Sequence, residues 1–160
     1  MQVVHGSTGA PDRDHKLTKS LLEQTAETGE TCLFVYSPPR QVAFGRRDSV
    51  NQKYEMAKKE ARKKGYVPVE RETGGRAVAH TGDTVAFAYA VATNDPPESI
   101  RSRYRGVTSL IKKALNSVGS NLYQGEPESA YCPGDSSLRY NGKIVGVAQR
   151  VTQNAAITSG

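Results

Sequence analysis

The chain has 160 residues, a net charge of +6 at pH 7 and a hydrophobic share of 36%, which fits one domain around one modest core. No apolar run approaches the roughly 18 residues of a membrane span, and the N-terminus lacks the basic and apolar segments of a secretory signal. The two cysteines, Cys32 and Cys132, lie far apart in sequence. We therefore expect a cytoplasmic protein with reduced thiols and no membrane partner.

The positive charge is concentrated in two segments that are predicted to be helical. Lysines and arginines crowd residues 53–64 and residues 101–113. Such charge suits nucleic acid, an anionic cofactor or an acidic partner protein, although solvated helix faces explain most clusters of this kind. No RNA-binding aromatic signature or zinc-ligand spacing accompanies them. We therefore do not expect nucleic acid to be a partner.

The first half of the sequence combines two helices with several strands. Residues 1–11, rich in Gly, Ser and Thr, indicate a loose or weakly paired start. A helix is predicted from about Asp14 to Thr28, with Gly29 as its left-handed C-terminal cap, and another at about 51–64. Alternation of Val85, Phe87 and Tyr89 supports the last strand of this half. The predicted strands are 31–36, 41–44, 66–71, 76–80 and 84–91.

The second half opens with the clearest helix in the chain, from Glu98 to Val118. Its apolar residues recur at the 3.6-residue period, and Gly119 follows it. Asn141-Gly142 is a strong two-residue hairpin signal between two β segments. The predicted strands here are 136–140, 143–150 and 151–158. The complete pattern predicts a mixed α+β domain with a largely antiparallel β-sheet flanked by helices.

The stretch from Glu70 to His80 is the most informative for chemistry. Its two glycines, Gly74 and Gly75, let the backbone turn sharply and approach a ligand closely. Backbone N–H groups of such a turn can bind phosphate or carboxylate oxygens, with the arginines at 71 and 76 as charged donors. Most Gly-Gly pairs are simple hairpin turns. From these residues alone, a hairpin turn and an anion site both stay open.

A second candidate is Lys143, which opens an apolar strand. Its ammonium could reach into a pocket and stabilise an oxyanion or a phosphate, and the alternative is an exposed turn lysine. Gly146 and Ala148 are small residues within the same segment. Small residues in a strand are expected where a ligand passes close to the sheet.

Cys132 is a third candidate because it lies in a Pro-Gly loop. A thiol there could act as a nucleophile where neighbouring cations favour the thiolate, and the alternative is an inert free thiol. Cys32 lies in a predicted core strand and is interpreted as structural. The three histidines show no metal-ligand spacing, so no metal site is predicted among them.

Taken in order, these segments resemble the family of lipoate–protein ligases, octanoyltransferases and biotin ligases. Phe44-Gly45-Arg46-Arg47 looks like the family's Gly-Arg strand end. Residues 71–80 resemble Arg-x-Ser/Thr-Gly-Gly-Gly-Ala-Val-aromatic-His, and residues 142–150 match Gly-Lys-Ile-x-Gly-x-Ala-Gln-Arg. The resemblance covers about residues 14–160. It implies the class II aminoacyl-tRNA synthetase/biotin synthetase-like fold.

The resemblance also implies roles for site residues. Lys143 would contact the acyl carbonyl and the adjacent phosphate, and Gly75, Gly146 and Ala148 would line a tunnel for the acyl chain. The residues implied in holding the nucleotide phosphate or the acyl head are Arg71, Gly74, Gly75, Arg76, Ala77, Val78, Ala79 and His80.

Three functions are compatible with this resemblance, and the first of them is the one we expect. The first is an ATP-dependent lipoate–protein ligase, which activates lipoate with ATP and Mg²⁺ and transfers the lipoyl group to a lysine of a lipoyl-acceptor domain or of a glycine cleavage H-type protein. The second is an ATP-independent octanoyl or lipoyl transferase that uses a Cys132 thioester and takes its acyl group from a carrier such as an acyl carrier protein. The third is a non-catalytic lipoyl-binding relative.

The sequence departs from the family pattern at three positions. Arg76 replaces the third glycine, and Ala79 and Thr81 replace an aromatic residue and an aspartate. The family's domain also continues beyond the position of Gly160. We therefore expect a loose segment at 1–11 and a single catalytic domain at 12–160 that is incomplete at its C-terminus.

Overall fold

The computed structural model describes residues 1–94, 99–119, 121–128 and 130–160. These residues form four helices: α1 (Pro11–Thr28), α2 (Arg46–Ser49), α3 (Tyr54–Lys63) and α4 (Ser99–Asn116). They also form eleven strands: β1 (Gln2–His5), β2 (Cys32–Tyr36), β3 (Gln41–Phe44), β4 (Val67–Glu70), β5 (Val78–His80), β6 (Ala86–Ala92), β7 (Tyr123–Gln124), β8 (Leu138–Arg139), β9 (Lys143–Val145), β10 (Ala148–Val151) and β11 (Ala155–Ser159). Across these ranges, no helix has the length and apolar character to cross a bilayer.

The main sheet has five strands in the order β1-β2-β6-β11-β10. The β1–β2 pair is parallel and the other three pairs are antiparallel. Helix α1 covers one face of this sheet, and the apolar residues between them form the core. Its buried members are Leu21, Leu22, Cys32, Phe34, Tyr36, Ala86, Ala88, Ala90, Ala155 and Ile157. The predicted largely antiparallel sheet flanked by helices is therefore confirmed.

Strand β6 forms where a strand was predicted. However, its buried face carries small alanines, and its bulky side chains lie on the other face. Ala86, Ala88 and Ala90 are at most 4% exposed, whereas Val85 just before the strand is 68% exposed. Phe87 and Tyr89 are half-buried on the other face of the sheet. Alanines face α1 because a helix can approach a sheet closely only over small side chains.

Helix α1 ties down the N-terminal segment. It begins at Pro11, since proline suits the first turn of a helix, and ends at Gly29, whose φ of 74° confirms the predicted left-handed cap. The buried carboxylate of Asp14 accepts hydrogen bonds from the Ser7 hydroxyl (2.6 Å) and the Thr8 N–H (2.7 Å). With β1 paired along β2, most of the segment expected to be loose is held in place.

Two smaller sheets complete the fold. The order of one is β4-β3-β5, in which β3 pairs in parallel with β4 and antiparallel with β5. The other has the order β7-β8-β9 and is antiparallel. The Tyr140 N–H donates to the Gly142 carbonyl at 3.0 Å, which confirms the predicted hairpin between β8 and β9.

The prediction of one strand over residues 143–150 is wrong. The chain forms β9, leaves the strand conformation at Gly146-Val147 and resumes as β10. β9 belongs to the small β7-β8-β9 sheet and β10 to the main sheet, so one straight strand cannot serve both. The next predicted strand, 151–158, is likewise interrupted by a turn in which Thr152 N–H donates to Ala155 O at 2.8 Å.

The helices also differ in their limits from the predicted ones. The short helix α2 was not predicted; Asp48 stabilises its start by accepting a hydrogen bond from the Gly45 N–H at 2.9 Å. Helix α3 begins at Tyr54 rather than at residue 51. Glu98, the predicted start of the last helix, lies outside the described residues. Helix α4 ends at Asn116, before the predicted end at Val118; Val107 is buried in the helix, whereas Val118 beyond it is 73% exposed.

Candidate active site

The turn at Gly74-Gly75 packs against a third glycine, Gly45. Gly45 follows β3, and a Cβ at this position would lie 2.3 Å from the carbonyl oxygen of Gly75. Gly75 itself has a φ of +91°, a conformation that L side chains rarely adopt. The close approach of these two backbones explains why the glycines occur at both places, and it fixes the position of the turn next to the end of β3.

Arg71 crosses beneath this turn. Its N–H donates to the Phe44 carbonyl at 3.0 Å, and its Nη2 donates to the Arg76 carbonyl at 2.8 Å. A Cβ on Gly75 would lie 2.7 Å from Nη2, so the turn requires glycine there for a second reason. Burial lowers the pKa of the Arg71 guanidinium, while the neighbouring Cys132 and Asp48 act to raise it.

Cys132 reaches the same turn from the loop that follows β7. Its Sγ would lie 3.9 Å from a Cβ on Gly75, and the side chain is half-buried. The thiol and the half-buried guanidinium of Arg71 therefore both lie beside Gly75. Cys32, the other thiol, is 0% exposed in the core, as predicted for a structural cysteine.

Lys143 extends back over the Cys132 loop. Its Nζ donates to the Cys132 carbonyl at 2.7 Å and to Glu126 Oε1 at 2.8 Å. The stem of the side chain passes Gly146, at which a Cβ would lie 3.1 Å from Lys143 Cε. Lys143 is thus held by two acceptors and does not extend freely from an exposed turn. Gly146 has no side chain, which leaves room for the stem of Lys143.

A small cavity of about 50 Å³ lies on the other side of Arg71. It is bounded by α1, the end of β2 and the beginning of β6, with Thr73 and Ser159 at one wall. Its side chains include His15, Tyr36 and His80. His15 Nε2, His80 Nδ1 and Arg71 Nε are buried here and have no hydrogen-bond partner among the residues that the structure describes. The cavity is therefore apolar on the sheet side and rich in nitrogen donors and acceptors near Arg71.

Both histidines at this cavity favour the neutral form. Burial is the main cause that lowers the pKa of His15 from its ordinary value, and His80 and Arg71 lower it further, whereas Asp14 acts to raise it. Burial and then Arg71 lower the pKa of His80. At neutral pH the fixed positive charge of this region consequently comes from arginine and lysine.

Polar contacts join the turn to the main sheet. Thr73 Oγ1 and Ser159 Oγ are 2.7 Å apart, and Glu72 forms an ion pair with Arg150. Gln149 donates to Thr158 at 2.9 Å and accepts from Arg103 of α4 at 3.0 Å. Gln149 and Arg150, which end the motif of residues 142–150, therefore connect α4 and the turn to the main sheet.

The predicted site residues separate into two groups. Arg71, Gly75, Cys132 and Lys143 come together as described above. Val78 and Ala79 are exposed on β5, which pairs with β3. Further residues away from the cavity lining are Gly74 and Arg76 in the turn, Ala77 before β5, Gly146 after β9, and Ala148 in β10. The tunnel role of Gly75, Gly146 and Ala148 stays a prediction.

Sequence reasoning missed three contributors to this region. His15 and Tyr36 line the cavity from α1 and β2, and their signal was weak: a histidine three residues before Thr18 on a helix face, and a tyrosine ending a core strand. Glu126 carried no signal, because its partner Lys143 becomes its neighbour only when the chain folds. Gly45 was recognised in its motif, although not its contact with the turn.

Comparison with known proteins identifies the family. Residues 11–160 match the family model of the lipoyl protein ligase A/B catalytic domain. An octanoyl-[GcvH]:protein N-octanoyltransferase of Exiguobacterium sp. is 34% identical over 87 residues, covering 54% of this chain and 31% of that protein. A protein of the same name from Lysinibacillus sphaericus is 28% identical over 88 residues, covering 54% and 32%. The chain thus spans about a third of the length of these relatives.

Solved structures share the fold at low sequence identity. A lipoate-protein ligase A bound with ATP matches 99% of this chain and 64% of its own, with a TM-score of 0.78 and 19% identity. Protein Ta0514 of T. acidophilum with bound lipoic acid gives a TM-score of 0.79 at 19% identity, covering 99% and 66%. The predicted resemblance is confirmed: the chain belongs to the lipoyl protein ligase A/B catalytic-domain family and has its mixed α+β, class II synthetase-like fold.

Proposed function

We propose that this chain transfers an octanoyl or lipoyl group to a protein lysine through a thioester on Cys132. The observation that carries the proposal is the position of the thiol beside Arg71 and Gly75, with the carbonyl of the same residue bound by Lys143. The names of the two curated relatives, both N-octanoyltransferases, support the same reaction.

The first step is attack of the Cys132 thiolate on the acyl carbonyl of the donor. If the donor is an acyl-lysine, the C–N bond breaks, the C–S bond forms, and the thiol proton ends on the departing amine. The developing oxyanion needs a positive partner. The Lys143 ammonium has three N–H donors, and the described contacts use two of them, which leaves the third for that oxygen.

The second step returns the thiol. A neutral lysine amine of the acceptor attacks the thioester carbonyl, the C–S bond breaks, and the amine proton passes to the leaving thiolate. No ATP is consumed, because the two steps together exchange one amide for another through the thioester. The acyl chain would enter beside Arg71, and because a cavity of about 50 Å³ holds no more than a few water molecules, it would widen on binding.

The partners proposed are proteins that carry the acyl group on a lysine. The relatives' names point to a glycine cleavage H-type protein as donor, and one structural neighbour is a bi-partite lipoate protein ligase described with its E2 lipoyl domain, which points to such a domain as acceptor. An acyl carrier protein stays a predicted donor. A reducing compartment, the cytoplasm, suits the reaction because both described cysteines are free thiols.

The second candidate is the ATP-dependent lipoate ligase, which the sequence alone favoured. It is supported by the structural neighbour bound with ATP and by the exposed Arg46, Arg47 and Arg76 around the turn, which could bind nucleotide phosphates. Mg²⁺ would then arrive with the phosphates, because no group of three metal-binding side chains occurs among the described residues. In this reaction Lys143 would contact the acyl-adenylate, and Cys132 would be dispensable.

One experiment separates these functions. The protein is incubated with an apo lipoyl domain and either an octanoylated H-type protein or free lipoate, each with and without ATP, and every species is followed by intact mass. We expect octanoyl transfer without ATP, a trapped octanoyl adduct on Cys132, and loss of both in Cys132→Ser. Transfer that requires ATP and free lipoate and survives Cys132→Ser would establish the ligase instead, and binding of acyl groups without turnover would establish a non-catalytic relative.

A further inference from the structure

We propose that Glu126 is a positioning residue of this site, holding the Lys143 ammonium, and through it the Cys132 backbone, in the arrangement that acyl transfer requires. The inference rests on the proposed function. No sequence motif marks Glu126, and none of the roles described so far includes it.

The carboxylate of Glu126 accepts hydrogen bonds from two side chains at one oxygen. Oε1 accepts from Lys143 Nζ at 2.8 Å and, in a short hydrogen bond, from the Ser137 hydroxyl. The backbone of Gly134 also acts to lower the pKa of this carboxyl group. These donors come from the loop that carries Cys132 and from the start of β9. One carboxylate therefore joins both ends of the loop to the lysine.

The environment of this ion pair differs from that of the Lys63–Glu60 pair on α3. The Glu126 side chain is 14% exposed and that of Lys143 is 30% exposed, whereas the Lys63–Glu60 pair is 58% and 52% exposed. Burial acts to raise the pKa of Glu126, but the hydrogen bonds from Lys143 and Ser137 outweigh it and lower the pKa below its ordinary value. The carboxylate is therefore charged at neutral pH. Desolvating a charge is unfavourable, so its presence calls for a specific role.

That role follows from the geometry of Lys143. A lysine side chain has a long flexible stem, and its charge is useful in catalysis only where its position is fixed. Here Gly146 gives the stem room, Glu126 holds the ammonium on one side, and the Cys132 carbonyl holds it on another. Without Glu126, the ammonium would retain one of its two protein acceptors and sample other positions.

The inference predicts a specific kinetic signature. Glu126 contacts no reacting atom itself, so its loss should affect the transition state through Lys143 more than the binding of the donor. We expect Glu126→Ala to lower kcat about 10- to 100-fold and to change KM for the octanoylated donor less than about threefold. Glu126→Gln, whose amide oxygen can still accept from Lys143, should lose about three- to tenfold.

The test is a double-mutant cycle with Lys143. Glu126→Ala, Lys143→Ala and the double variant are compared in single-turnover formation of the Cys132 thioester, with Glu60→Gln as the control that breaks an exposed glutamate–lysine pair. If Glu126 acts through Lys143, the double variant reacts within about twofold of Lys143→Ala alone. Losses that multiply, or a folded Glu126→Ala that keeps kcat within about twofold, would overturn the inference.

Two checks keep the outcomes distinct. Thermal melting shows whether Glu126→Ala folds, and if it does not, the same cycle is run with Glu126→Gln. If the unaltered protein forms no thioester on Cys132, the proposed transferase function fails, yet the cycle can be repeated in ATP-dependent lipoylation, because Lys143 is proposed to act in both reactions. Coupling there would support the positioning role, and its absence would overturn it.

Discussion

The main sheet with α1 and the Cys132 loop (residues 126–128 and 130–137) with Lys143 are held together in different ways. In the sheet, Phe34 and Ile157 are 0% exposed and contact other apolar side chains. In the loop, Glu126, Ser137 and Lys143 are joined by directional hydrogen bonds, and Lys143 and Cys132 stay partly exposed. Apolar burial scales with area and tolerates small shifts, whereas hydrogen bonds weaken steeply with geometry.

This difference teaches that stability and activity reside in separate sets of residues. Replacing a core side chain should lower the free energy of unfolding while any folded molecules remain active. Replacing a residue of the loop should lower the rate while the protein stays folded. Gly45 packs behind the Gly74-Gly75 turn, which lies beside Cys132, so its replacement should affect both quantities.

The largest expected effect on stability comes from Phe34→Ala. Phe34 is fully buried and stacks on Tyr36 with ring centroids 4.3 Å apart, so truncation leaves a cavity between the sheet and α1. We expect a loss of about 3–5 kcal/mol in the free energy of unfolding, measured by urea denaturation. Phe34→Leu, which keeps most of the volume, should lose clearly less. A loss under about 1 kcal/mol for the alanine variant would contradict the proposed core.

Gly45→Ala tests the Gly74-Gly75 turn that lies beside Cys132. The added methyl would lie 2.3 Å from the Gly75 carbonyl oxygen, so the turn must move. We expect a loss of roughly 1–3 kcal/mol in stability, as for overpacked sites, together with a drop in acyl transfer of on the order of 100-fold. Denaturation and single-turnover assays on the same sample would measure both. Unchanged activity in a folded variant would mean that the turn does not position the reacting groups.

Lowering the pH should reduce the stability of the fold through His15 and His80, which line the cavity. The folded-state pKa values of His15 and His80 lie below the ordinary 6.5, so the unfolded chain binds protons first as the pH falls. The stabilisation is complete above about pH 6.5 and is lost as the pH drops toward the lowered values. We expect Tm to fall by several degrees between about pH 7.5 and about pH 5.5.

The control for this pH effect is a change of histidine. His15→Asn should flatten the dependence of Tm on pH, and His5→Asn, at an exposed position in β1, should leave it as it is. A steeper dependence in His15→Asn would show that the cavity histidines do not cause the loss.

The smallest expected effect is a gain in stability. Gly106 lies within α4, where a Cβ would meet no atom within 4 Å. Alanine there should raise stability by about 0.5–1 kcal/mol, because glycine loses more conformational freedom in a helix, and should leave acyl transfer unchanged. Thermal melting measures the first expectation, and destabilisation would indicate that α4 is packed more tightly at this position than described.

Many helices, caps and turns of the molecule were predictable from local sequence patterns. The periodicity of residues 98–118, the left-handed cap at Gly29 and the Asn141-Gly142 turn each describe interactions between neighbours in sequence. The break at Gly146 and the orientation of β6 were not predictable in this way. They depend on which sheet each strand joins and on how closely α1 approaches, and both are set by residues far away in the chain.

The same limit applies to the candidate site. Its motifs identified Arg71, Gly75 and Lys143, because glycines, arginines and a lysine in a fixed order are informative by themselves. Glu126 and His15 were missed, since a single carboxylate or histidine has no distinctive spacing. Their roles became visible only through their distances from Lys143 and Arg71 in the folded chain.

The strand order of the main sheet has a consequence for how the protein folds. β2 pairs with β6, and β6 pairs with β11, so the central ladders join segments from distant parts of the sequence. Such pairings favour slow folding, because long loops must close before the contacts form. β11 comes last in sequence among the described strands, and it carries Ser159, the partner of Thr73. During synthesis on the ribosome the turn beside Cys132 therefore gains its final support only after nearly all of this sequence has been made.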